Sequence, residues 1–168
     1  MNNIILIGMP ASGKSTAGVV LAKLLAYDFI DTDLLIQRRA GMPLSAIIAQ
    51  RGIDGFLAAE AAVCEELSAD RAVVATGGSV VYSESAMEHL KALGKVVYLD
   101  VDYDALVKRL TDIRGRGVVL RDGQTLEALY AERAPLYRRY ADVTIREGDQ
   151  TLEETAAAIY RACGEAAC

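Results

Sequence analysis

The sequence predicts a single α/β domain, residues 1–168, in which helices cover both faces of a five-stranded parallel β-sheet, giving three layers. The length of 168 residues and the 52% hydrophobic content suit one domain with a buried core. Five short apolar runs, bounded by Gly, Asp or turn residues, have the composition of buried strands: 4–7, 29–31, 72–75, 96–99 and 143–145.

Helix-length stretches lie between these runs, and they carry apolar residues at intervals of three and four. We expect helices over 14–26, 34–40, 44–50, 55–68, 83–93, 103–110, 125–140 and 152–163. Such alternation of strand and helix is typical of a parallel sheet, whose strands need crossover connections. The segment 111–123 is rich in Gly and Arg and fits neither period, so we expect a mobile loop that serves as a lid.

The net charge of −5 argues against a nucleic-acid partner and against docking to an anionic membrane, because both need a basic surface. Residues 1–7 contain no basic segment, and their apolar run is too short for a signal peptide or a membrane span. We expect a cytoplasmic monomer whose partner is a small molecule.

The strongest motif is GMPASGKS at residues 8–15, which matches G-x-x-x-x-G-K-[ST] between a predicted strand and a predicted helix. Backbone N–H groups of such a loop surround phosphate oxygens, and the helix N-terminus adds its positive dipole. We expect Lys14 to neutralise the β- and γ-phosphates of ATP and Ser15 to bind Mg²⁺. The loop itself would hold the phosphates through Gly8, Ala11, Ser12 and Gly13. A glycine-rich turn without a ligand is the alternative, and the flanking elements count against it.

Polar residues follow the second and third predicted strands, at the edge of the sheet where parallel α/β proteins bind ligands. We assign Asp31 to Mg²⁺, through coordinated water, and Asp33 to the acceptor hydroxyl, which it would orient and deprotonate. Capping of the next helix is the alternative for either aspartate. Gly77 and Gly78 would let the backbone approach a ligand closely.

Arginines cluster in two places, and in an acidic protein this clustering suggests binding of anions. Arg114 and Arg116 lie in the expected lid, and a lid arginine could stabilise the γ-phosphate during transfer. Arg133 precedes Pro135 in a helical stretch and is a candidate for a substrate anion. Solvated surface positions are the better interpretation for Arg38, Arg39, Arg138 and Arg139.

Taken in order, these segments resemble the shikimate kinase family over essentially the whole chain. They are GMPASGKST at 8–16, FIDTD at 29–33, ATGGS at 75–79, the Arg-bearing lid and ERAPLYRRYAD at 132–142. The resemblance implies a P-loop kinase fold with strand order 2-3-1-4-5 and a kinase that uses MgATP. It further implies that Thr16 closes the phosphate loop, Asp33 contacts the acceptor hydroxyl and Arg116 is the lid arginine. By the same resemblance Arg133 binds the substrate carboxylate and Arg109 lies against adenine.

Two departures from the family pattern concern the acceptor. Leu57 stands where the family has an arginine that binds the shikimate carboxylate, and Ser79 replaces the third glycine of T-G-G-G. Loss of one charged contact is worth about 1.5–3 kcal/mol. Homoserine is therefore an alternative acceptor, since its ammonium could pair with Glu60 and its carboxylate with Arg133. A sugar acid such as gluconate is a more distant one.

A nucleotide-binding module without catalysis is the alternative from another functional class. The absent arginine at position 57 would support it. The retained charged residues count against it, because keeping them close together is costly without a use. ATP turnover stimulated by a hydroxy acid, and lost in Asp33→Asn, would distinguish an enzyme from such a module.

Overall fold

The computed structural model describes residues 3–112, 120–148 and 150–164, and its centre is the expected parallel sheet. The strands are β1 (Asn3–Ile7), β2 (Asp28–Asp31), β3 (Ala72–Ala75), β4 (Gly94–Val101) and β5 (Val143–Glu147). They lie in the order β2-β3-β1-β4-β5, and each pair of neighbours is parallel. All five predicted strands and the predicted strand order are confirmed.

Strand β1 occupies the middle of the sheet, and all five of its residues are buried. Ile5 pairs with Val74 of β3 on one side and with Val96 of β4 on the other. Because side chains alternate along a strand, Ile5 and Ile7 face one layer of helices while Ile4 and Leu6 face the other. Each such side chain contributes about 1.5–3 kcal/mol through burial, which is why the strand reads as an uninterrupted apolar run.

Seven helices and one short 3₁₀ helix are present in the described residues. They are α1 (Lys14–Leu25), α2 (Thr32–Ala40), α3 (Leu44–Glu65), the 3₁₀ helix Val80–Tyr82, α4 (Glu84–Leu93), α5 (Tyr103–Asp112), α6 (Leu126–Tyr140) and α7 (Leu152–Gly164). Helices α1 and α7 cover one face of the sheet, and α3, α4 and α6 contribute to the core on the other. None of the helices in this part of the chain is long and apolar enough to cross a membrane.

The two helices expected over 44–50 and 55–68 correspond to the two parts of α3, where Gly52 (φ 69°, ψ 179°) interrupts the helical backbone between them. Two details differ from the sequence prediction. Helix α2 begins at Thr32, before the expected residue 34, because Asp31 caps it and places Asp33 in the first turn. The 3₁₀ helix after β3 was not predicted. Most of the expected lid, 113–119, lies outside the described residues.

Candidate active site

The loop between β1 and α1 closes around the ammonium group of Lys14. Its Nζ donates hydrogen bonds to the carbonyl oxygens of Gly8 (2.9 Å) and Met9 (2.7 Å) and to Ser12 Oγ (3.3 Å). Gly8 has φ 148°, and a Cβ there would lie 2.8 Å from the Leu99 carbonyl oxygen. The tight wrap therefore requires glycine at this position, as the motif predicts.

Burial lowers the pKa of Lys14 to about 8, below its ordinary value of 10.5. The carboxylates of Asp33 and Asp31 act in the opposite direction, while the Arg133 guanidinium adds to the lowering. At neutral pH the side chain still carries its proton, so the loop holds a desolvated cation. A desolvated cation attracts phosphate oxygens more strongly than one in water.

Ser15 and Asp31, the two residues assigned to Mg²⁺, contact each other. Ser15 Oγ donates to Asp31 Oδ2 at 2.8 Å, and Asp31 Oδ1 accepts a hydrogen bond from the Asp33 backbone N–H at 2.9 Å. Asp31 thus caps α2, as the alternative interpretation required, and still presents a carboxylate to Ser15. A hydroxyl beside a carboxylate is a donor set that fits Mg²⁺, which completes its shell with water and phosphate oxygens. The described residues include no cluster of three or more acidic, His or Cys side chains that would hold a metal by itself.

Asp33 lies in the first turn of α2, on the same edge of the sheet as the Lys14 loop. Burial raises the pKa of Asp33, and the neighbouring charge of Asp31 raises it further, while Lys14 opposes both. A carboxylate with a raised pKa is a better proton acceptor near neutral pH. The environment of Asp33 therefore suits a general base.

The bare backbone of Gly77 is covered by two carboxyl groups. A Cβ on Gly77 would collide with Glu60 Oε1 and would lie 3.0 Å from Asp33 Oδ1. At Gly78 a Cβ would lie 3.1 Å from Arg133 Nη1 and 3.0 Å from Pro10. The glycine pair thus allows the side chains of Glu60, Asp33 and Arg133 to gather beside the phosphate loop.

Glu60 is the most deeply buried carboxyl of this group, with 1% of its surface exposed. Burial raises the pKa of Glu60 to about 7, and a hydrogen bond from Ser79 partly opposes the shift. Ser79 Oγ donates to Glu60 Oε2, while Glu60 Oε1 has no hydrogen-bond partner. Ser79 therefore directs its side chain at Glu60.

Arg133 is 3% exposed, and among the described residues it forms no ion pair. Its Nε donates to the Tyr82 hydroxyl at 3.1 Å, and its guanidinium lies 5.2 Å from the centroid of the Tyr82 ring. Tyr137 supports the same region, because its hydroxyl donates to the Gly78 carbonyl oxygen. A buried guanidinium without a carboxylate partner is suited to binding an anionic ligand.

Arg109 reaches the phosphate loop from α5. Its Nη1 pairs with Glu147 Oε2 at 2.9 Å and donates to the Ala11 carbonyl oxygen at 3.4 Å. Glu147, at the end of β5, is 5% exposed, and its Oε1 has no hydrogen-bond partner. The pair holds the guanidinium beside the phosphate loop, and β5, which carries Glu147, lies at the opposite edge of the sheet from β2.

Sequence analysis missed Glu147 and Tyr82. Glu147 could have been found by the rule that pointed to Asp31, since both acids end a strand at the ligand-binding edge. No local signal marks Tyr82, because its role depends on its distance from Arg133. Arg138 and Arg139 are exposed and pair with Asp100 and Glu84, as the surface interpretation predicts.

Thr16, Arg114 and Arg116 are also expected at the site from the sequence. Arg116 and Arg114 belong to the segment outside the described residues. Thr16 is exposed in the first turn of α1. Leu57, which occupies the place of the family's arginine, is half-buried against the apolar cluster of Ile36, Ile47, Phe56 and Val63.

Comparisons with known proteins agree with this geometry. The family model described as "Shikimate kinase" matches residues 10–163. The chain is 38% identical to the shikimate kinase of Vibrio parahaemolyticus over 157 residues, covering 92% of this chain and 91% of the relative. It is 39% identical over 158 residues to shikimate kinase 1 of Yersinia enterocolitica, with the same coverage of both chains.

Solved structures give the same result. The shikimate kinase of Acinetobacter baumannii, solved in complex with shikimate, matches with a TM-score of 0.86 at 34% identity, over 96% of this chain and 92% of that one. The shikimate kinase of Aquifex aeolicus matches with a TM-score of 0.81 at 30% identity, over 98% of both chains. Sequence motifs, strand order and site geometry thus lead to one conclusion: the chain belongs to the shikimate kinase family and is a kinase, an ATP:alcohol phosphotransferase.

Proposed function

We propose that this enzyme transfers the γ-phosphate of MgATP to the 3-hydroxyl of shikimate, giving shikimate 3-phosphate and ADP. The observation that carries the proposal is the position of Asp33, a carboxyl with a raised pKa that interacts with the charge of Lys14 and lies with Glu60 beside Gly77. This arrangement supports a phosphate site next to an acceptor site. The relatives that are named shikimate kinases support this choice of acceptor.

In the proposed reaction, Asp33 accepts the proton of the acceptor hydroxyl as its oxygen forms a bond to the γ-phosphorus. The bond between the γ-phosphorus and the bridging oxygen breaks, and ADP leaves with that electron pair. Lys14 stabilises the negative charge that develops on the phosphate oxygens. Ser15 and the Asp31 carboxylate would hold Mg²⁺, which would supply positive charge next to the phosphates.

On the acceptor side, we propose that Arg133 binds the substrate carboxylate and that the buried carboxyl of Glu60 accepts a hydrogen bond from a substrate hydroxyl. Arg133 suits this role because its guanidinium is desolvated and forms no ion pair with a described residue. Because Leu57 supplies no second cation, Arg133 would bind the carboxylate without the second charged contact that the family's arginine makes. We propose further that the backbone of Gly77 and Gly78 lines the acceptor pocket and that Arg109 packs against adenine.

Homoserine has no support among the relatives described above, and none of the contacts described here favours it over shikimate. Shikimate offers Glu60 and Asp33 several hydroxyl donors, whereas homoserine offers one hydroxyl and an ammonium. The pKa values of Asp33 and Glu60 are both raised, so these carboxyl groups are less easily ionised than exposed acids. A site for an ammonium would be expected to favour ionised acids, whereas hydroxyl groups can donate to carboxyl oxygens without requiring this.

The test is ADP release from MgATP by the purified protein in the presence of shikimate, homoserine, gluconate or a nucleoside monophosphate. We expect shikimate to give the largest stimulation and ³¹P NMR to identify shikimate 3-phosphate. Asp33→Asn should lower kcat by at least about a hundredfold, whereas Asp70→Asn, at an exposed position outside the site, should leave kcat unchanged.

If homoserine were turned over faster than shikimate, the acceptor that we propose would be wrong. Nucleotide binding without turnover of any hydroxy acid would contradict the assignment of transfer to this site. Light scattering on the same preparation tests the expectation of a monomer.

A further inference from the structure

Ser79 occupies a backbone conformation that places no demand on residue type. Its φ of −94° is negative, so the backbone does not require glycine or a left-handed conformation here. The residue is 5% exposed, and its hydroxyl donates to Glu60 Oε2. What serine adds at this position, in comparison with glycine, is therefore that hydroxyl and its hydrogen bond.

Glu60 depends on this hydrogen bond for its orientation. Among the described residues it forms no ion pair, and its other oxygen, Oε1, has no partner. The charged groups that act on it are Asp33, Arg133 and Lys14. If the Ser79 hydroxyl is lost, neither oxygen of this carboxyl keeps a hydrogen-bond partner, and only packing restrains its terminal torsion, which has no sharply preferred angle.

The orientation of Glu60 determines the shape of the acceptor pocket. Oε1 occupies the space that a side chain on Gly77 would need, and Asp33 Oδ1 lies on the same side of Gly77. Rotation of the carboxyl would move Oε1 away from Asp33 and change which hydroxyl groups the pocket can accept.

We propose that Ser79 is a positioning residue for the acceptor substrate, which acts by holding Glu60 so that Oε1 faces the pocket beside Asp33. This role rests on the proposed function, because Glu60 is taken to accept a hydroxyl of shikimate. In a chain with Leu57 in place of an arginine, Ser79 thus contributes to acceptor binding through an uncharged contact. The nucleotide side of the site does not involve Ser79.

The test compares the full-length enzyme with Ser79→Ala, Glu60→Gln and the double variant. Removal of one hydrogen bond to a buried acid predicts an increase of about tenfold in KM for shikimate in Ser79→Ala. KM for MgATP should stay unchanged. The two substitutions should be strongly non-additive in KM for shikimate, since Ser79 acts through Glu60. Ser85→Ala is the matched control, because Ser85 donates to the exposed Glu65 and should not affect either KM.

A second measurement needs no substrate. The pKa of the Glu60 carboxyl, followed by ¹³C NMR as the signal absent from Glu60→Gln, should rise in Ser79→Ala because the hydrogen bond that lowers it is gone. Unchanged KM and unchanged Glu60 titration in Ser79→Ala would overturn the proposal, and so would additive effects in the double variant. If the wild-type enzyme failed to phosphorylate shikimate, the proposed function would be wrong, and the titration would still show whether Ser79 fixes Glu60.

Discussion

Replacement of Glu60 by glutamine should stabilise the protein in a pH-dependent way. Burial raises the pKa of Glu60 to about 7 from an ordinary value of 4.5. Between these values the folded state keeps a proton that the unfolded chain releases, so stability falls as pH rises through this window. Above pH 7 the full cost is present, and at 1.36 kcal/mol per pKa unit it amounts to about 3 kcal/mol. Glutamine has nearly the same shape and no charge, and it avoids this cost.

The assay is urea unfolding of the wild-type protein and Glu60→Gln at pH 5 and pH 8. The difference in unfolding free energy between the two proteins should shift in favour of the variant by roughly 2–3 kcal/mol from pH 5 to pH 8. Glu88→Gln, on the exposed side of α4, serves as the control and should show the same difference at both pH values. An equal difference for Glu60→Gln at pH 5 and pH 8 would refute the reasoning, because it would mean that Glu60 titrates like an exposed acid.

Three further predictions concern the kinetics. Leu57→Arg should lower KM for shikimate about tenfold in initial-rate assays by adding a second cation for the carboxylate, and an unchanged or higher KM would contradict the acceptor geometry. Glu147→Gln should raise KM for MgATP about threefold and leave KM for shikimate unchanged, because Arg109 loses its charged partner at a partly exposed position. Lys14→Met should lower kcat by at least about a hundredfold in single-turnover experiments, and a fall in nucleotide affinity alone would argue against its role in the transfer step.

The architecture could be predicted from the sequence because it depends on local patterns. Strand β1 is apolar at every position since both of its faces are covered, and the phosphate loop follows it at once. Ser15 was assigned from the G-x-x-x-x-G-K-[ST] motif and Asp31 from its place at a strand end, and the structure brings their side chains to 2.8 Å. Strand order came from the resemblance to a known family, since no local signal specifies which strands are neighbours.

The features that sequence analysis missed depend on distant contacts. Tyr82 supports Arg133 from a 3₁₀ helix 51 residues earlier in the chain. The partnership of Ser79 with Glu60 joins residues 19 apart that belong to different elements. Neither partnership has a spacing that a sequence pattern could reveal.

The two halves of the site differ in how they are built, and this difference explains where the chain departs from its family. The phosphate side consists of one continuous loop and the start of α1, and its geometry comes from backbone N–H groups that need glycine at Gly8. On the proposed function, the acceptor side is assembled from separate elements, which are the first turn of α2, α3, the loop after β3 and α6. A substitution there changes one contact and leaves the others in place. On the proposed function, positions 57 and 79 both belong to the acceptor side, so we expect a change of charge at position 57 to alter acceptor affinity and to leave the phosphate loop intact.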